Sequence, residues 1–296
     1  MQLAFTSLAS LAALVAAVPP NATPANTTVF ACGNPPLAAE EHAIMARAFA
    51  EERMMKNIQV DAEIPTVNVY FQVIASSEKP DDGWVDFSET GITAKYKLTL
   101  VRTVVEVLND NYNKHGIKFR WAGTIRTINK TWAQGQDVDA MKSQLRMGSY
   151  SDLNIYLHPA LPDNAAGLCT LPRPVSDAGS YSSDGCQILT GTLPGDGRYN
   201  GLNDGKAGVH EVGHWFGLAH TFLNGCNEPG DYVEDTPYEA SPPKGGCAER
   251  DSCPGKPGND PIHNHMDYTS GSCHTEFTPG QQTRMHNQWA KYRFGK

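Results

Sequence analysis

His210-Glu211-Val212-Gly213-His214-Trp215-Phe216-Gly217-Leu218-Ala219-His220 decides how this 296-residue chain is read. His210 and His214 stand four apart, so on a helix their rings leave one face a turn apart and can grip the same ion. Glu211 follows the first of them and lies off that face, placed to reach a water on the ion rather than the ion itself. Gly217 can take the positive φ that ends the helix and turns the chain, which brings His220 back as a third ligand. Three imidazoles leave a fourth position for water, the mark of a catalytic rather than a structural zinc site. A lone helical histidine is usually an ordinary surface or core residue. Three histidines, a glutamate and a glycine at fixed places in one short window are not explained that way.

The H-E-x-x-H-x-x-G-x-x-H run resembles the zinc signature of the metzincin clan of metallopeptidases. That clan adds a methionine-containing turn downstream of the third histidine, and Asn264-His265-Met266-Asp267-Tyr268 supplies one. The fuller pattern is similar to the pappalysin-like secreted metalloproteases, fungal extracellular ones among them. It is carried by Gly230-Asp231-Tyr232-Val233-Glu234-Asp235-Thr236-Pro237, by four cysteines around the methionine turn, and by Phe277-Thr278-Pro279-Gly280-Gln281-Gln282. The resemblance covers about residues 64–290 and is densest from Gly205 onward.

The resemblance implies an α+β zincin, or metzincin, fold. Its upper lobe would hold a mixed twisted sheet and the active-site helix; its lower lobe would be loop-rich, stapled by disulfides and ended by a C-terminal helix. It also implies a zinc endopeptidase with one Zn2+ per chain, a metal-activated water and Glu211 as general base. Met266 would form a packing floor beneath the histidines, since a thioether is a poor zinc ligand beside imidazole. Tyr268 matches the tyrosine that in some metzincins points toward the metal, where its phenol would donate to the oxyanion. Simple packing in the turn is the other reading of Tyr268. His263, His265 and His274 are expected at the surface or in support of the ligands. The acidic residues of 231–235 could give oxygen ligands to a structural calcium ion; the stretch lacks EF-hand spacing, and solvated loop carboxylates are an equal alternative.

Three function classes stand against one another. The first is a secreted endopeptidase acting, as a monomer, on protein or peptide substrates. The second is a proteolytically inert zincin used as a binding module, which would usually have lost Glu211 or a ligand. The third, a zinc hydrolase of a small non-peptide substrate, is disfavoured by the open cleft that the resemblance implies.

Composition fits the first class. The first 39 residues hold no Asp, Glu, Lys or Arg. Residues 3–18 form an apolar run ending in small residues suited to signal-peptidase cleavage, so 1–18 reads as a signal peptide. Asn21, Asn26 and Asn129 begin glycosylation sequons. The net charge of −8 is spread without a basic stripe, which argues against nucleic acid or an anionic membrane as partner. The seven cysteines should mostly pair in an oxidising compartment, and none form a C-x2-C pair. The family pattern implies crossed bridges, Cys226–Cys253 and Cys247–Cys273, which leaves Cys169–Cys186 and an odd Cys32.

Residues 19–60 read as a propeptide or N-terminal extension, with a helical segment over 40–56, and 61–296 as the catalytic domain. Within it, 66–74 reads as a strand, a stripe from Leu98 to Tyr112 as a core-packing helix closed by Gly116, and 117–122 as a second strand. A short helix over 138–147 and strands over 153–157 and 167–172 follow. The last resembles the zincin edge strand that binds extended substrate by strand addition. Thr278, Pro279 and Gln281 give the closing helix a capping box, with Met285 and Trp289 toward the core. Cys32, in Cys32-Gly33-Asn34-Pro35, resembles the cysteine switch of some metzincin propeptides, in which a thiolate fills the fourth position on zinc. Ala31 stands where an arginine is typical, and a surface thiol or an extra disulfide are equal readings.

Overall fold

The computed structural model describes residues 32–54, 64, 66–79, 82–83, 94–194 and 202–296. The expected signal peptide and the sequons at Asn21 and Asn26 lie outside them. β-Branched and aromatic residues alternate along β1 (Val67–Ala75), and the alternation is spent on two cores. Val67, Val69, Phe71 and Val73 face one side, together with Leu153, Ile155 and Leu157 of β3 (Leu153–His158). Ile74 and Tyr156 face the other, against Trp132 of α3 (Lys130–Ala133) and Met141 and Leu145 of α4 (Val138–Leu145). A strand buried on both faces needs helices above and below, and the chain places them there.

β2 (Phe119–Ile128), β1, β3 and β5 (Cys186–Leu189) are parallel neighbours in that order, and β4 (Gly167–Cys169) closes the edge antiparallel to β5. β2 runs past Ala122, where the expected strand ended, because the register shifts at Val69/Tyr70 and lets pairing resume at Gly123. β4 is shorter than the expected 167–172 and is stapled to β5 by Cys169–Cys186, directly opposed residues.

α2 (Ala94–Tyr112) buries Val101, Val104, Val105, Leu108 and Tyr112 against the sheet, and Gly116 beyond it is left-handed at φ 73°. The Tyr112 hydroxyl donates to Val209 O at 2.8 Å, which ties α2 to the motif helix α6 (Lys206–Trp215), the next after the short α5 (Ala178–Ser182). Every residue of α6 from Ala207 to Trp215 is buried. After His220 the chain runs mostly as turns, held by Cys226–Cys253 and Cys247–Cys273, until α7 (Pro279–Tyr292). The Thr278 capping box is formed, and Met285 and Trp289 are buried. Asp235 adds to the cap: its carboxylate accepts from Thr278 Oγ1 at 2.7 Å and from Gly280 N at 2.8 Å.

A buried charge cluster fixes α6 from its far end. Asp184 accepts both Arg293 Nη groups at 2.9 and 3.0 Å and Trp215 Nε1 at 3.0 Å, with Arg146 Nη1 at 3.2 Å. Arg293 also donates from Nε to Trp215 O and stacks on the Trp215 ring. The residue just after the last helix thereby grips the last residue of α6.

The N-terminal segment folds onto this body rather than away from it. α1 (Ala39–Met54) lies on α7, with Met45 and Ala48 buried. Glu52 takes a two-pronged bond from Arg284, Nε to Oε1 and Nη2 to Oε2, each 2.8 Å, and the Arg284 guanidinium is 1% exposed. Lys291 pairs with Glu51 at 2.8 Å.

Asp184→Ala should cost about 3–5 kcal/mol, because it leaves two buried guanidiniums facing no carboxylate. Denaturant unfolding measures this; a loss below about 1 kcal/mol would remove the cluster from the stability account. Burial alone would raise the Asp184 pKa, but Arg293 and Arg146 outweigh it and hold the carboxyl below its ordinary value. Its stabilisation is therefore present at neutral pH and is lost as pH falls from the ordinary aspartate range through the depressed folded value.

Candidate active site

On α6, His210 and His214 share a face as their spacing requires, and Gly217 at φ 94° turns the chain so that His220 returns to them. His214 Nε2 lies 3.2 Å from His210 Nε2 and 3.1 Å from His220 Nε2. The far side of two rings is tied down: His210 Nδ1 faces His265 O at 2.7 Å, and His214 Nδ1 faces Leu218 O at 2.8 Å. A carbonyl only accepts, so Nδ1 carries the proton in both rings and Nε2 keeps its lone pair. Burial drives His214 down to about 4, and His210 and His220 well below the ordinary value. Neutral imidazoles with converging lone pairs are what a metal needs.

The spacing fits zinc. Tetrahedral ligands about 2.0–2.1 Å from one ion lie roughly 3.3 Å apart, close to the separations here. Cys32 is free and buried beside the three rings, with Sγ 3.5 Å from His214 Nε2. One donor atom from each of Cys32, His210, His214 and His220 lies within 4.8 Å of all the others, and no other described group of His, Cys, Asp and Glu gathers in this way. In particular, the carboxylates of 231–235 do not converge. Asp235 caps α7, while Asp231 is buried with Oδ2 unpaired and is pushed by burial up to about 7.

Glu211 is fully buried beside this centre. Burial pushes it up to about 8; its Oε2 receives the Cys32 thiol at 3.6 Å and its Oε1 has no hydrogen-bond partner. Burial and the adjacent Glu211 in turn raise the Cys32 thiol well above its ordinary value. The Tyr268 phenol points inward. It donates to Cys32 O at 3.2 Å and lies 3.3 Å from His220 Nε2, and burial, with Cys32 and Glu211 nearby, raises its pKa and keeps it a donor.

Met266 packs beneath α6 against Gly213, where a Cβ would collide with its sulfur. That use of a glycine inside the motif was not read from the sequence, since x positions carry no signature. His265 and His274 are buried, not at the surface, and His263 is exposed. It is the carbonyl of His265, not its ring, that holds His210. The turn itself hangs on the closing helix: Gln281 exchanges amide bonds with Asn264, and Asn264 Oδ1 accepts Met266 N at 2.9 Å.

The N-terminal segment 32–34 lies along the edge strand. Cys32 pairs parallel with Gly167, Gly33 N donates to Gly167 O at 2.7 Å, and Asn34 Oδ1 accepts Cys169 N at 2.8 Å. These bonds, with Tyr268, hold Cys32 in place without the arginine that Ala31 replaces. Asn129 of the third sequon is half-buried and caps α3, its Oδ1 accepting Thr131 N and Trp132 N.

Residues 162–290 match the model of the family described as Peptidase_M43, pregnancy-associated plasma protein-A. An extracellular metalloprotease of Verticillium alfalfae is 44% identical over 270 residues, spanning 89% of this chain and 90% of that one. One from Colletotrichum graminicola is 42% identical over 300 residues, spanning 99% and 100%. The chain belongs to the Peptidase_M43 family. Mature mirolysin of Tannerella forsythia, bound to a cleaved peptide, shares the fold at a TM-score of 0.57 and 20% identity, over 76% of this chain and 92% of that one. As a Peptidase_M43 member this chain is an extracellular metalloprotease. No helix among its described residues is long and apolar enough to cross a membrane.

Proposed function

We propose that the chain is a monomeric zinc endopeptidase, secreted with a propeptide, that hydrolyses peptide bonds of extracellular proteins. The observation that carries this is the convergence of three neutral imidazoles on one point with the Glu211 carboxylate beside it. Zinc held by His210, His214 and His220 would supply Lewis acidity toward the scissile carbonyl and lower the pKa of a water. The backbone of β4, which now pairs with residues 32–34, would hold the substrate extended. Glu211 takes a proton from the attacking water as the water oxygen bonds to the carbonyl carbon. It passes that proton to the departing nitrogen as the C–N bond breaks. Tyr268 donates to the oxygen on which negative charge develops.

In the intact chain the Cys32 sulfur lies beside the three imidazoles and the 32–34 segment is bonded to the edge strand, which supports reading 19–60 as a propeptide that silences the enzyme.

Chelation should abolish casein cleavage and added zinc restore it. Glu211→Gln should keep zinc and lose about 10²–10⁴-fold in turnover. Near-normal turnover at full zinc content would assign the base elsewhere. Tyr268→Phe should cost about 10²-fold or less, and unaltered kinetics would leave Tyr268 a packing role.

Cys32→Ala should make the uncleaved chain active. A variant as silent as the parent would deny Cys32 a part in latency.

A further inference from the structure

Glu52 stands thirteen residues beyond Ala39, about 20 Å along α1, and the surface it meets there is built to receive a carboxylate. Arg284 gives it two donors at 2.8 Å and Asn287 Nδ2 a third at 3.4 Å, while Lys291 takes the neighbouring Glu51 at 2.8 Å. The Arg284 guanidinium does not depend on α1 for its place, since Nη2 donates to Tyr232 O at 2.5 Å. Asp231 also acts on that guanidinium, but burial pushes its carboxyl up to about 7, so it compensates the charge incompletely. The Tyr232 ring completes the seat. Phe49 packs edge-on against it with centroids 6.4 Å apart, and His42 Nδ1 lies 2.9 Å from its hydroxyl. His42, Met45, Phe49 and Glu52 recur every three or four residues, so one face of one helix fits here. Met45 and Ala48 are the buried residues of α1. With so little apolar burial, the charged end of the helix contributes a large share of the hold.

We propose that this face of α7 is a second docking site for protein substrates, separate from the cleft, and that it takes an amphipathic helix bearing a carboxylate. The inference rests on reading the chain as an endopeptidase whose segment 19–60 is a propeptide. When that segment leaves, the seat is uncovered and Arg284 stays fixed beside the Tyr232 ring, a guanidinium that has lost its carboxylate. The helix that fits is one with the shape and charge that α1 presents: an apolar pair for the Tyr232 side and a glutamate for Arg284. The seat is continuous with the cleft. Ala219, next to His220, shares a buried group with Met45 and Tyr232, and Leu171, two positions beyond β4, packs on it. A substrate held at the cut bond can therefore lay a neighbouring helix on α7, as the N-terminal segment does from Cys32 to Glu52. Docking there raises the effective concentration of such substrates at the catalytic centre without touching the reacting atoms, so it acts on KM rather than on kcat.

The test compares two synthetic substrates. One is a short quenched peptide carrying a bond that the enzyme cuts in casein. The other is the same peptide joined through a flexible Gly-Ser linker to residues 38–54 of this chain, which hold α1 but neither Cys32 nor the residues bonded to β4. The enzyme is the full chain activated by limited proteolysis, with the freed segment removed and its removal checked by mass spectrometry. The α1 tail should lower KM at least about 10-fold and leave kcat unchanged. Glu52→Gln within the tail should remove most of that gain. On the enzyme, Arg284→Gln should do the same. Lys291→Glu, at an exposed position that asks less of the fold, should also weaken the gain and decides the matter if the first variant does not fold. A tail that leaves KM unmoved, or acts equally well after Glu52→Gln, would overturn the docking site while cleavage of the short peptide leaves the endopeptidase standing. Activated protein that cuts neither peptide nor casein would overturn both.

Discussion

Everything around the motif serves one demand: three imidazole nitrogens must sit just over 3 Å apart with their lone pairs turned inward. Left to themselves, such rings would rotate apart or hydrogen-bond elsewhere. Two carbonyls prevent it, His265 O for His210 and Leu218 O for His214, each fixing both a ring angle and a tautomer. The first of these carbonyls is supplied by a turn far along the chain, and that turn is positioned by Gln281 through Asn264. The far end of the motif helix is gripped by Arg293 and Asp184. The last helix and the residue after it therefore hold the histidine cluster in shape, although neither touches it.

What could be read from the sequence follows the distance over which each interaction acts. The histidine triad lies within one short window, so helix geometry alone places two of the rings and a glycine turn the third. The Thr278 cap and the α2 stripe are local for the same reason. Met266, Tyr268 and the cysteine pairs were legible through resemblance, since nothing in their own spacing distinguishes them. The long-range polar contacts were not legible. Arg293 and Asp184 are 109 positions apart and Arg284 and Glu52 are 232 apart, and a charged residue in a sequence carries no sign that it will be buried. The 40–56 helix was readable from its composition; that it docks on α7 was not. The fit of Met266 against Gly213 escaped notice because a missing side chain leaves a mark only once its neighbour is known.

The Glu52–Arg284 clasp separates two events that are easily taken as one. While the N-terminal segment is joined to the core, its return to the site is an intramolecular event. If the segment is the propeptide proposed above, a cut in that link would not by itself remove it, because the backbone bonds to β4 and the clasp on α7 remain. Departure would then obey mass action, set by how much free segment the surrounding fluid holds. Cut molecules packed closely together would keep one another capped, and the same molecules dispersed into a larger volume would open.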